Sequence, residues 1–154
     1  MSAPPDMKGL AEAIFQSVPF LSWIGVEIVE ATPDHVIAAF KPRDELIGNP
    51  HQQILHGGII SAVMDSVGGL VGILKYLETV SEEEKQDAYA EAFKRVTKFA
   101  TIDMRADFLS PGRGTGFVCE GRILRLGRHV VVSRMEFRNG EGTLIAVGTG
   151  TYNY

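Results

Sequence analysis

In the segment ILHGGIISAVMD, Ile54 to Asp65, a histidine and two glycines precede an apolar run that holds a single carboxylate. Asp65 has the chemistry of a general base or nucleophile, and His56 that of a proton carrier or a cap. Gly57 and Gly58 strip a helix start of side chains. Such a start presents unpaired N–H groups and a partial positive charge, so a carbonyl oxygen reaching it meets donors that stabilise an oxyanion. The chemistry indicated is attack on an acyl carbon.

Spacing limits what one copy can do. Asp65 follows Gly57 by roughly 12 Å of helix axis, too far for both to act on one carbonyl about 3 Å from each. Two copies packed antiparallel along a small-residue stripe would set the glycine end of one beside the acid of the other, which predicts a homodimer with composite sites. Plainer readings stand beside this one. Asp65 is then a hydrogen-bonded structural aspartate, His56 a capping residue, and Asn49, His51, Gln52 and Gln53 solvated loop groups. A Ser-His-Asp triad drawn from Ser61 or Ser66 with His56 and Asp65 has no GxSxG elbow behind it.

The helix that must carry these residues runs from Gly57 to about Leu77. At the helical angle Gly58, Ser61, Asp65, Gly68, Gly69 and Gly72 share one stripe, while Ile60, Val63, Val67, Leu70, Val71 and Leu74 fall opposite. Interior glycines cost roughly 1 kcal/mol each relative to alanine. Either the helix is buried on all sides, or another backbone or a ligand approaches along the stripe.

Around it the pattern predicts a short amphipathic helix over residues 7–18, then strands over 23–31 and 35–40 joined by the turn ATPDH,. IGNPHQQIL reads as a loop. A second, outwardly acidic helix over 81–98 starts with Ser81 and Glu84 at capping-box spacing and carries Tyr89 and Phe93 on its apolar stripe. In residues 101–109, Ile102, Met104, Ala106 and Phe108 alternate with polar residues as a half-buried strand should. Strands over 117–126, 130–138 and 143–152 follow after SPGRGTG, GR and NGEG, as three hairpin links of one antiparallel meander. The expected class is α+β, an antiparallel sheet wrapped around a long central helix in one domain over 1–154.

Composition narrows the function. The chain has 154 residues, 45% of them hydrophobic, and a net charge of −4. Its acids cluster between Glu78 and Glu91, and the basic surplus from Lys98 onward suits an anionic small molecule and is too sparse for nucleic acid. Cys119 is the only cysteine, so neither a disulfide nor a zinc site is expected, and no metal or cofactor is called for. MSAPPDMKGL lacks the basic and apolar pattern of a secretory signal, and the stretch 54–74 is broken by five glycines, His56 and Asp65. A cytoplasmic protein with no membrane span is expected.

ILHGGIISAVMD resembles the HGG-x6-D signature of hotdog-fold acyl-CoA thioesterases of the phenylacetic-acid-degradation type, and TIDMRADFLSPGRG is similar to their following strand and turn. The resemblance spans about Ile24 to the C-terminus. It implies that Asp65 delivers water to a thioester, that the Gly57 N–H polarises its carbonyl beside Gly58, and that His56 shapes the loop. Thr101 matches the Ser or Thr that helps hold the water or the acid. Arg125, Gly127 and Arg128 match positions that meet coenzyme A phosphates. Where many members have Asn six residues before the His and Gly three before it, this chain has Pro50 and Gln53, so Asn49 or Gln53 is the carbonyl-orienting candidate. The implied substrate is acyl-CoA, and the implied assembly a dimer or tetramer. The extra helix over 81–98, bordering the acyl tunnel, favours medium to long chains. The rival functions are a hotdog enoyl-CoA hydratase or dehydratase and a non-catalytic acyl-CoA-binding module.

Overall fold

The computed structural model describes residues 6–81, 92 and 94–154. Asp6 caps helix α1 (Met7–Gln16), its carboxylate accepting the Gly9 N–H,. Ala11 and Phe15 are its buried residues. A second helix, α2 (Pro19–Ile24), then occupies positions where a strand was expected to begin. Pro19 suits the first helical turn and Gly25, at φ 85°, closes the last one,. Those two end signals outweigh the strand preference of Trp23 and Ile24.

Strand β1 (Glu27–Ala31) therefore starts late and pairs with β2 (His35–Phe40). Thr32 Oγ1 accepts the N–H groups of Asp34 and His35 and so makes the expected turn. A 3₁₀ turn (Asp44–Leu46) leads to a small hairpin of β3 (Ile47–Asn49) and β4 (Ile54–Leu55), inside the segment expected to be only loop.

Helix α3 (Gly57–Ser81) follows and runs four residues beyond the expected end. Ser81, expected to open the next helix, is its last residue. Ala92 and residues 94–96 are helical and residues 97–98 form a turn, so the helix ends two residues earlier than expected, while Glu84, Tyr89, Phe93 and the other positions at 82–91 lie outside the described residues. All six bulky residues opposite Asp65 are buried, each contributing about 1.5–3 kcal/mol. By length and composition Gly57–Val80 is apolar enough to cross a bilayer, with a mean hydropathy of 1.7, despite the glycines and Asp65 that argued otherwise. In this fold its apolar side packs on a sheet.

That sheet contains β5 (Ala100–Phe108), β6 (Phe117–Leu126), β7 (Val130–Asn139) and β8 (Leu144–Asn153), in the order β1-β2-β6-β7-β8-β5. It is antiparallel throughout and curls round α3, which is the hotdog arrangement. β6, β7 and β8 form a meander. β5 does not join it as a hairpin with β6, because β2 already takes that side of β6, and it pairs instead with β8 at the sheet edge.

A bulge in β5 changes which residues face the helix. The register slips between Thr101 and Asp103, leaving Ile102 as the extra residue,. Thr101 therefore faces inward before the bulge, and Met104 and Ala106 pack on the core after it. Ile102 and Phe108, expected to be buried, are 58% and 53% exposed.

Candidate active site

The first turn of α3 leaves one donor unused. The His56 carbonyl accepts the N–H groups of Ile59 and Ile60 at 3.0 and 3.3 Å. Its Nδ1 accepts the Gly58 N–H at 2.8 Å. An accepting Nδ1 carries no proton, which places the ring hydrogen on Nε2. Of the first four N–H groups, only that of Gly57 has no partner among the described residues. His56 is held from behind by β3, where a Cβ on Gly48 would come within 2.8 Å of the His56 Cα.

The loop polar groups are engaged with one another. Asn49 Oδ1 accepts the Gln52 N–H, Gln53 Nε2 donates to the Pro50 carbonyl, and Gln53 sits at φ 51°. Arg113 braces the same loop by donating to the Gln52 carbonyl and Oε1. Neither Asn49 nor Gln53 hydrogen-bonds to His56 or Gly57.

Asp65, half-buried two turns further on, is held twice. Thr101 Oγ1 donates to its Oδ1 at 2.9 Å, and Tyr152 Oη donates to its main-chain carbonyl at 3.0 Å. Burial first, and the Asp65 charge second, push the Tyr152 hydroxyl well above the ordinary tyrosine value, so it stays a donor,. Ser133, fully buried, makes a parallel bond to the Gly68 carbonyl at 3.1 Å.

These contacts account for two glycines of the stripe. A Cβ on Gly68 would collide with Tyr152 Oη and lie 2.6 Å from Met135 Sδ and 2.9 Å from Ser133 Oγ. One on Gly72 would lie 2.6 Å from Val131 Cγ1. At Gly68 and Gly72 the stripe thus seats side chains of the chain's own β7 and β8, while Gly69 borders open space. Tyr152 and Ser133 carry no local signal in the sequence, because what matters about them is that β7 and β8 bring them against α3.

Asp65 and Thr101 also mark the polar end of an apolar cavity of about 240 Å³. Gly69 and Ile73 of α3, Phe15 and Leu21 from the N-terminal helices, and Val96 and Phe99 line its remainder. Gly57 instead lines a separate hollow with Phe108 and Leu109. The structure brings Thr101 to Asp65 and His56 to Gly58, but keeps the two halves apart. Arg125 and Arg128 are exposed. With Gly127 they follow the row Thr101, Tyr152, Val131, Leu126 across the sheet, three strand spacings or roughly 14 Å from Thr101. Cys119 is fully buried in β6, and burial holds its thiol far above the ordinary range, which leaves it inert,.

Comparison with known proteins identifies the scaffold. The thioesterase superfamily matches residues 52–146. The chain is 36% identical to the medium/long-chain acyl-CoA thioesterase YigI of Escherichia coli, over 99% of this chain and 96% of that protein. It belongs to the thioesterase superfamily. The same YigI protein of Salmonella typhimurium is 34% identical over the same shares. Among solved structures, a thioesterase-superfamily-related protein of Shewanella oneidensis is 41% identical, covering 98% of this chain and 99% of its own, with a TM-score of 0.84. A Haemophilus influenzae thioesterase, 24% identical at a TM-score of 0.71 over 93% and 88% of the two chains, shares the fold. Residues 52–146 of this superfamily member include α3, β5, β6, β7 and the start of β8, so His56, Gly57, Asp65 and Thr101 fall inside the shared region while Tyr152 lies beyond it.

Proposed function

We propose that this chain hydrolyses medium- to long-chain acyl-CoA thioesters to the free acid and coenzyme A. The observation that carries the reading is the pair of half-sites on one helix: an unpartnered N–H at Gly57 and a carboxylate held by Thr101 at Asp65. The Gly57 N–H polarises the thioester carbonyl. Asp65 takes a proton from water as the water oxygen adds to the carbonyl carbon, and the oxyanion so formed rests on that N–H. The C–S bond then breaks, and coenzyme A leaves as the thiolate. His56 keeps the glycine turn in place with Gly58, and Asn49 and Gln53 shape the loop in front of it. Arg125 and Arg128, beside Gly127, are suited to bidentate contact with coenzyme A phosphates. The names of the YigI relatives and the apolar cavity beside Asp65 both favour medium to long acyl groups. One buried, unpaired cysteine fits a reducing compartment such as the cytoplasm,.

The working unit in this proposal is a homodimer joined through β5. This strand is a sheet edge whose unpaired backbone is a template for another strand, and its exposed Ile102 and Phe108, with Leu109 just beyond its end, would be covered by pairing,. Its two ends touch the two half-sites. Thr101 bonds Asp65, while the Phe108 ring lies 3.4 Å from the Cβ position of Gly57. Antiparallel pairing of two β5 strands sets the Thr101 end of one beside the Phe108 end of the other. Asp65 of one protomer then serves Gly57 of its partner, by a sheet edge and not by helix stripes.

The test is thiol release from a panel of acyl-CoAs by Asp65→Asn and Gly57→Pro, separately and mixed. Proline deletes one N–H at a first helical position it tolerates. Each variant alone should lose about 10²- to 10⁴-fold in kcat. Mixed and re-equilibrated subunits should recover about a quarter of wild-type activity, since half the dimers are mixed and one of their two sites is intact. Full activity in Asp65→Asn would remove the carboxylate from the reaction, and no recovery on mixing would remove the composite site.

A further inference from the structure

Helices α1 and α2 lie outside the residues 52–146 that match the superfamily, yet they form one wall of the cavity beside Asp65 through Ile14, Phe15, Val18 and Leu21. Opposite them, Asp65, Gly69 and Ile73 are spaced by four residues, so they line one strip of α3 about 12 Å long,. Gly69 has no side chain to interrupt that strip. α1 is anchored mainly on β1 and touches α3 lightly. The space between α1 and α3 is therefore a slot with a carboxylate at one end, in place of a packed helix pair. Its wall is built to be adjustable by single side chains. Ile14 is partly buried on the core, and Val18, at the corner between the helices, is 38% exposed.

Resting on the thioesterase reading, we propose that the α1–α2 corner, through Ile14 and Val18, is the gauge that sets the length of acyl chain the enzyme accepts. A linear, saturated chain attached at the Asp65 end would run along the Gly69–Ile73 strip. Each methylene that finds apolar wall there should raise kcat/KM about fourfold. The gain stops where the chain reaches the corner. A side chain that fills the slot ends the gain earlier, and one that empties the corner extends it.

The experiment measures kcat/KM by thiol release for even-numbered saturated acyl-CoAs from butanoyl to octadecanoyl. Val18→Trp narrows the slot from a half-exposed position where folding is little at risk, Ile14→Ala widens it, and Lys8→Ala alters α1 on its outer, exposed side. Val18→Trp should move the optimum to shorter chains and raise the octanoyl-to-hexadecanoyl ratio about tenfold or more. Ile14→Ala should move the optimum the other way, and Lys8→Ala should leave the profile as it is. Profiles of Val18→Trp and Ile14→Ala that superimpose on wild type after scaling would overturn the gauge while leaving the thioesterase reading intact. A wild type that releases no thiol would overturn that reading. The gauge is then decided by calorimetric affinities of the same acyl-CoAs, with the same opposite shifts expected and superimposed affinity profiles overturning it.

Discussion

Gly68→Ala and Gly69→Ala change adjacent positions of one buried helix and should move stability in opposite directions. Both remove a helical glycine, worth about 1 kcal/mol in favour of alanine. At Gly69 the new Cβ would lie 3.4 Å from Tyr152 Cε1, an ordinary contact, so the gain survives. At Gly68 it would collide with Tyr152 Oη and crowd Met135 Sδ at 2.6 Å and Ser133 Oγ at 2.9 Å. Overpacking of that kind costs about 1–3 kcal/mol. Pushing Tyr152 and Ser133 back also breaks their bonds to the carbonyls of Asp65 and Gly68, at about 1 kcal/mol each. The net expectation is a loss of about 2–4 kcal/mol for Gly68→Ala and a gain of up to about 1 kcal/mol for Gly69→Ala. Urea unfolding followed by far-ultraviolet circular dichroism should separate the two midpoints by about 1 M or more. A Gly68→Ala protein as stable as Gly69→Ala would refute the reasoning, since the two hydroxyls could not then be seated against that turn.

Two further outcomes follow from the hydrogen bonds. Thr101→Val keeps the shape of the side chain and deletes its bond to Asp65 Oδ1. It should lower kcat about tenfold or more with little change in KM, and Thr101→Ser should restore most of it; equal kcat in the Val and Ser variants would contradict the positioning role. Lys75 Nζ lies 2.8 Å from both Asp34 and Glu78, and the Asp34 bond first, then the Glu78 bond, raise its pKa above the ordinary lysine value of 10.5. A raised lysine stabilises the fold below its unfolded pKa, and that stabilisation is lost as pH rises through the higher folded value. Wild type should therefore lose an advantage over Lys75→Met above about pH 10.5, and parallel stability profiles of the two up to higher pH would remove the bridge from the account.

How much of this was legible beforehand depends on range along the chain. The HGG start and the single acid were readable because a helix fixes their separation by its rise alone, and their incompatibility within one copy followed from that distance. The β6–β7–β8 meander was readable because its turns are local. The α2 helix was also written locally, in Pro19 and Gly25, but the aromatic and branched residues between them pointed to a strand. The bulge at Ile102 had no local mark. It arises where β5 meets β8, and it inverts the inside and outside of everything before it, which is how Thr101 came to face Asp65. The purpose of the glycine stripe was equally hidden, since Tyr152 and Ser133 reach it from strands far along the chain.

Tyr152 and Asp65 stand 87 positions apart, and β8, which carries Tyr152, must enter between β7 and β5. Local helix formation takes about a microsecond, whereas pairing of that range is slow because a long loop must close before any contact rewards it. A folding chain will therefore own a helix bearing its aspartate well before that aspartate is positioned. Activity, on this ordering, is the last property the molecule acquires, and it depends as much on the closing strand as on the helix that holds the acid.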